Sequence, residues 1–457
     1  MRRPKAILTL VVLLAFVVSS RPSSFDLPGP LQERQIRWPT RNIQIALSTS
    51  LTTPAAALKP ESDVLGAVRR ALDSWSRAAN VTFVEITSKA QSVSPTDSGD
   101  GISLITVAPT AENLSLFGEG NTTARTRVFY DPETGDISEA DIVINPFPYS
   151  EDGQSIQFST DGSPGTYDLE STLAHEIGHL LGLNHSHVIG ATMQASQALN
   201  GTYGLPAITQ RTLSEADRAA ARSLYGAREK VGSIDGKILN SIDGNLLPAT
   251  AAHVWIEDLV SGRVIADSLT TAGGRFSISG VPPGNYRAMV EYLDAAGDAT
   301  ALSAAGDRKP GKQRAFRSVE IANRLRVAAD KSTPLTYVLV PPQNSPPALN
   351  PRFIGLNGEL STVPVPAEAG RKFTIYVGGE GVDQIPGSGL VFSSPFLTVD
   401  PASLTLQQFH RATPVISFEV SVAANAPPGD YSIRLQSNSG EVGYLIGAVK
   451  INPANSQ

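Results

Sequence analysis

The stretch HEIGHLLGLNH, residues 175–185, constrains this chain more than any other. Residues four apart on a helix share a face, so His175 and His179 present two imidazoles in one direction. Glu176 lies on the neighbouring rim. Gly182 follows His179 by three residues, and glycine readily takes the left-handed conformation that ends a helix. A chain that turns there can bring His185 back to the same point. The spacing therefore predicts a helix over 168–183, a forced stop, and a loop that folds back over the helix it left.

Three neutral nitrogen ligands with one open coordination position suit a catalytic zinc ion better than a closed structural one. Zinc would acidify a water molecule and polarise a carbonyl. Glu176 is placed to take the water's proton as general base. A bare His-Glu-x-x-His arises often by chance, but here five specified positions agree in one stretch. That disfavours a purely structural reading. A zinc site that has lost activity is the other alternative, and the presence of Glu176 argues against it.

Composition narrows the chemistry. The chain has no cysteine, which excludes disulfides, thiolate metal sites and cysteine nucleophiles. It has only six histidines, and His175, His179, His185 and His187 fall together. His187 lies beyond the pattern and reads as a solvent-facing or hydrogen-bonding residue. His253 and His410 stand alone in β-rich sequence and read as structural. A net charge of −6 argues mildly against nucleic acid as a partner.

At 457 residues, about two to four domains are expected. Arg2, Arg3 and Lys5 precede an apolar run over 6–18, broken only by Thr9. This reads as an export signal over 1–20, too short for the roughly 20 residues of a comfortable membrane span. An uncleaved N-terminal anchor is the alternative. Either way the chain is expected to be secreted or extracytoplasmic. A short lead-in covers 21–36. Strands are expected at 42–47, 81–86, 102–107, 124–130 and 141–145. Helical periodicity runs through Val64, Val68, Leu72 and Trp75, with Ser62 as N-cap. A last helix starts at Ser214. These elements give an α/β or α+β first domain over 37–226.

After Lys230 the texture changes to short strands between Gly, Asp and Pro turns, which reads as all-β sandwiches. The prolines at 341, 342, 346 and 347 divide this region into 231–342 and 348–453. Each half contains a Pro-Pro-Gly-x-Tyr segment, at 282–286 and at 427–431.

His175, Glu176, His179, Gly182 and His185 together resemble the metzincin signature, and HEIGHLLGLNHS is most similar to the matrixins. The likeness extends over 37–226. Met193 follows His185 by eight residues, as the matrixin Met-turn does, and the resemblance makes it the floor beneath the zinc. Arg37-Trp38-Pro39 resembles the family's domain start, and LSEADRAAARSLYG its C-terminal helix. RVFYDPETGDISEADIVIN is similar to its edge strand, turn and next strand. The resemblance implies a twisted mixed sheet with long helices. It also implies that Ala124, Arg125, Thr126, Arg127, Val128 and Phe129 bind extended substrate as an added antiparallel strand.

Three departures stand out. Neither TARTRVF nor ADIVIN contains histidine, so no second, structural zinc is expected. Asp136 and Asp141 sit where the family's calcium sites lie, with a plain acidic turn and a strand-start Asp as the equal alternative. The family's propeptide cysteine switch is absent, and Gln194-Ala195 follows Met193 where relatives often have Tyr-Pro, which bears on the S1′ pocket.

Residues 231–342 resemble carboxypeptidase-regulatory-like domains through GSIDGKI, AAHVWIEDLVSG and GRFSISGVPPGNYRAMV, with an insertion over 295–318. Residues 348–453 resemble a bacterial Ig-like sandwich. Both read as spacers or as attachment modules for a surface, matrix or substrate, separable from peptide cleavage. The expected function is an exported zinc endopeptidase acting on proteins or peptides. An adhesion protein with a vestigial zinc domain is the alternative, and a zinc hydrolase of non-peptide bonds a third.

Overall fold

The computed structural model describes residues 8–453 apart from 14–34, 97–98, 118–121, 151–152, 207–208, 243, 294–314, 344 and 410–412. His410, most of the expected export signal and lead-in, and most of the expected insertion lie outside the described residues. The chain is multidomain and rich in β-structure, with several sheets.

The first domain is built on one mixed six-stranded sheet. Its strands are β1 (Leu8–Leu13), β2 (Asn42–Ser48), β3 (Thr82–Ser88), β4 (Leu104–Thr106), β5 (Ala124–Tyr130) and β6 (Ile137–Ile144). Their order across the sheet is β1-β5-β6-β4-β2-β3. Strands β3, β2, β4 and β6 run parallel, and β5 returns antiparallel to β6. Within the expected export signal, β1 lies antiparallel along the outer edge of β5, Leu10 opposite Val128. Strand β6 begins at Ile137, four residues before its expected start, because it pairs with β5 straight from the turn at 131–136.

Helix α1 (Val64–Ala78) is amphipathic, and its buried residues include Val64, Val68, Leu72 and Trp75. Its N-cap is Asp63, not Ser62: the Asp63 carboxylate accepts from Gly66 N–H at 3.0 Å. Helix α2 (Ala111–Ser115) is a single short turn. Helix α3 (Leu169–Leu180) is shorter than expected at both ends. Asp168 caps it by accepting from Ser171 N–H at 2.8 Å, and Arg211 clasps the same carboxylate. Helix α4 (Glu215–Tyr225) opens with a capping box between Ser214 and Asp217.

Trp75 joins the two long helices. It is fully buried, and its Nε1–H donates to Ala174 O at 2.7 Å. The C-terminal end of α3 is tied by residues far apart in sequence. Trp38 Nε1–H donates to Leu180 O at 2.9 Å, and the Tyr225 hydroxyl donates to Leu181 O at 2.5 Å. Both ends of the domain thus close on the carbonyls that a helix terminus leaves without partners.

The second domain has one sheet ordered 245–248, 232–242, 275–281, with 332–340 also pairing parallel to 232–242, and another ordered 264–269, 253–258, 284–291, 319–327. The third domain sets the sheet around Lys372–Glu380 and Val415–Val422 against the one around Gly429–Gln436 and Val442–Ile451. The repeated Pro-Pro-Gly-x-Tyr has one physical basis in both. The Tyr286 hydroxyl donates to Pro282 O at 2.7 Å, and the Tyr431 hydroxyl donates to Pro427 O at 2.5 Å. Each closes the turn that feeds its strand.

The domains share apolar cores. Val188, Ala191 and Ala216 of the first pack with Trp255, Val264 and Met289 of the second and Ile446 of the third. Ala198 and Tyr203 belong to the third domain's core.

Trp75→Ala is expected to lower the unfolding free energy by about 3–5 kcal/mol, measured by urea titration, because it opens a cavity where α1 meets α3. A loss below about 1 kcal/mol would contradict the central place given to this side chain.

Candidate metal centre

Helix α3 carries His175 and His179 one turn apart, both buried. Gly182 ends it with φ of 90°, and a Cβ there would fall on the Ile36 carbonyl. The site therefore needs glycine both for the left-handed turn and for the close approach of the domain's first residues. Beyond it the loop returns His185 to the helix. The ligating atoms of His175, His179 and His185 all lie within 4.8 Å of one another.

The hydrogen bonds set the tautomers. His175 Nδ1 faces Thr192 O at 2.7 Å, and His179 Nδ1 faces Leu183 O at 2.8 Å. A carbonyl oxygen can only accept, so each Nδ1 carries the proton. Each Nε2 is then a bare acceptor, and the two face each other at 2.9 Å. Two lone pairs in that position repel unless a cation lies between or beside them. A proton does not fill that role. Burial drives the pKa of His175 well below the ordinary value, with the neighbouring His179 and His185 adding to the effect. Burial holds His179 at about 4 and pushes His185 far down as well. His185 Nε2 is buried without a partner. Neutral imidazoles converging without protons fit a borderline metal ion such as zinc.

Glu176 is fully buried. Its Oε2 accepts from the Thr126 hydroxyl at 2.5 Å, while Oε1 has no partner. Burial pushes the carboxyl up to about 8, opposed by the Thr126 hydrogen bond and the nearby Arg125 charge. Strand alternation explains the contact: Thr126 and Val128 point toward α3 and the main core, whereas Arg125 and Arg127 point to the other face. There Arg127 pairs with Glu112 at 2.7 Å and with Ser94 O. Arg125 donates to Thr122 Oγ1 at 3.2 Å, and burial lowers its pKa to about 10. Ala124 and Phe129 are buried in the same strand.

Met193 is buried against α3: a Cβ on Gly178 would fall on its sulfur and close to the Trp75 ring. Its backbone N–H and that of Thr192 donate to the two Asp217 oxygens at 3.0 and 2.8 Å. The bond from Asp217 to this loop is not legible in the sequence, where Asp217 stands only near the start of the last helix. Nor is Thr126 legible as the partner of Glu176. The Ser-x-x-Asp pattern signals Asp217 only as part of the helix cap, and nothing local signals Thr126.

The two acids considered for calcium are placed differently. Asp141 is fully buried, and its oxygens accept from Ser94 N–H at 2.9 Å and Leu104 N–H at 2.8 Å. Asp136 is in the 131–136 turn, its N–H bonded to Thr134 Oγ1. Among the described residues, the three histidines form the metal-capable group that geometry identifies. His187 lies 5.3 Å, ring to ring, from His253. His253 is fully buried between Glu291, at 2.9 Å, and Asp267, at 3.2 Å.

The raised Glu176 pKa has a sign that can be tested in the zinc-free chain. Folding tightens proton binding there, so the group's contribution is full below about pH 4, its unfolded value. It is lost as pH rises through about 8. The stability of wild type relative to Glu176→Gln, measured with chelator present, is expected to fall across that window. A difference that is flat or rising with pH would overturn the assignment.

Residues 127–226 match the sequence model of the peptidase family described as Matrixin. That range holds the three histidines, Glu176, Gly182, Met193 and α4, and supports a matrixin-like domain with metalloprotease function at the level of the family. No curated protein matches the chain. Among solved structures, the chain is similar to the minor pilin GBS52 of Streptococcus agalactiae at 11% identity and a TM-score of 0.17, over 26% of this chain and 48% of that one. It is similar to the major pilin subunit BcpA of Bacillus cereus at 10% identity and a TM-score of 0.17, over 47% and 67%. It is also similar to SGBP-B from the mixed-linkage glucan utilization locus of Bacteroides ovatus, solved with a mixed-linkage heptasaccharide, at 13% identity and a TM-score of 0.18, over 50% and 44%. The chain thus spans less than half the length of the first and third. TM-scores this low leave the fold to be argued from its own strands and helices.

Proposed function

We propose that this chain is an exported zinc-dependent endopeptidase with His175, His179 and His185 as ligands and Glu176 as general base. The observation that carries the reading is the pair of facing, unprotonated Nε2 atoms with His185 beside them and a half-free carboxylate next to them. When bound, zinc supplies Lewis acidity toward a carbonyl oxygen and toward water.

The protein's own groups do the rest. Thr192 O and Leu183 O orient the first two rings through Nδ1, a support that raises ligand basicity. Thr126 holds one oxygen of Glu176 and leaves Oε1 to take the proton of the attacking water, then to deliver it to the leaving amine. The Met193 side chain and the Trp75 ring both pack against Gly178, on the helix that carries the first two histidines. An extended peptide would pair with the outer edge of β5, the edge along which β1 lies antiparallel. The basic start and the apolar run over 6–18 support export, and no helix among the described residues is long and apolar enough to cross a membrane.

The test uses the full chain. Bound zinc near one per molecule, cleavage of an unfolded protein, and loss of cleavage with chelator are expected. Glu176→Ala should bind zinc yet lose at least about 10²-fold in kcat/KM. A zinc-loaded wild type that cuts no member of a broad peptide library would end the proposal.

A further inference from the structure

His185 and Met193 do not lie on α3. They lie on the loop 184–194, which contains no helix or strand. The loop's internal bonds are few. Ser186 N–H donates to Met193 O at 2.9 Å, and Ala191 N–H to Val188 O at 2.9 Å. This loop carries the ring of His185, which packs against those of His175 and His179 while its Nε2 has no hydrogen-bond partner.

What positions the loop comes largely from outside it. Asp217 holds its far end, as described. The second domain contributes Asp267, which accepts from the Ser186 hydroxyl at 3.1 Å. The third domain contributes most. Ile189 N–H donates to Ile446 O at 2.8 Å. The Lys450 ammonium donates to Gly190 O at 2.9 Å and to Thr212 O at 3.2 Å. Gln194 donates to Thr362 O at 3.2 Å. Lys450 is only 4% exposed and lies 3.7 Å from the equally buried Asp430. The surfaces meet without spare room. A Cβ on Gly190 would fall on the Asp430 carboxylate, and a Cβ on Gly447, whose φ is 65°, would fall on the Val188 side chain.

A buried ammonium between Gly190 O of the loop and Thr212 O ahead of α4 makes charge-assisted hydrogen bonds, stronger than neutral ones and costly to leave unmade. We propose that the third domain is a working part of the metal centre, with Lys450 as a positioning residue. Together with the Ile446 carbonyl it holds loop 184–194 so that His185 remains the third ligand and Met193 remains beneath the site. The inference rests on the zinc reading above. It replaces the separable spacer expected from sequence with a catalytic unit that extends to Ile451.

Zinc affinity of the full-length chain, measured by chelator competition, tests this without turnover. Lys450→Met alone would strand the Asp430 charge, so it is paired with Asp430→Asn. Gly190→Ala is a second route to the same displacement. Each is expected to fold cooperatively and to bind zinc at least about tenfold more weakly, the scale of losses seen when groups supporting metal ligands are removed. Lys450→Arg should recover most of the affinity, and exposed Lys372→Met should leave it unchanged. Folded Lys450→Met/Asp430→Asn and Gly190→Ala chains with wild-type zinc affinity would overturn the inference. Peptide turnover read in parallel separates the two claims. Weaker zinc binding in the variants of a wild type that cuts nothing would end the protease reading and leave this one standing.

Discussion

One unfavourable contact sits at the centre of helix α3. Two imidazole nitrogens, stripped of protons by their tautomers and by burial, face each other at 2.9 Å. The chain places them there through one helical turn, and holds them there because each ring's other nitrogen is bonded to a fixed carbonyl. Without a cation the arrangement is repulsive, and with one it becomes a binding site. The surrounding packing accepts that cost. Trp75 locks α1 to α3, Asp168 and Arg211 fix the start of α3, and Trp38 and Tyr225 fix its end.

Glu176 shows how one neighbour assigns a role. It shares the helix with the histidines but faces β5, where Thr126 occupies one of its oxygens. The same strand pairs along its outer edge with β1. His175, His179, Glu176 and Thr126 are therefore set by two elements, α3 and β5, packed directly on each other. Their rigidity comes from the helix and the sheet. His185 lacks that advantage, because it comes from an irregular loop.

The loop explains why the molecule is built as one body. Val188 and residues 190–193 are buried, and buried backbone groups must be paired. Backbone partners come from Asp217 of α4 and from Ile446 and Lys450 of the third domain, and Asp267 of the second domain holds the Ser186 hydroxyl. The shared core around Val188, Ala191, Trp255 and Ile446 binds the same surfaces together. Domains that look like beads on a string from their turn-rich sequence are joined at the most sensitive segment of the site.

Much of the centre was legible in sequence because it is local. The i, i+4 spacing of His175 and His179 sets their common face, and the glycine at 182 ends the helix. Helix and strand positions followed from periodicity, with errors at their ends where caps compete. Asp63 displaced Ser62 as a cap because its carboxylate reaches Gly66 N–H. What sequence could not supply are contacts between residues distant along the chain, such as Thr126 with Glu176, Asp217 with Met193, and Lys450 with Gly190. These depend on how the sheet, helices and sandwiches pack, and no short spacing encodes that. The amino-acid sequence alone pointed to the three histidines that the fold brings together as a group able to hold a metal. Only the tertiary structure decided what holds His185 in reach of the other two, because a loop without regular hydrogen bonding takes its position from whatever packs against it.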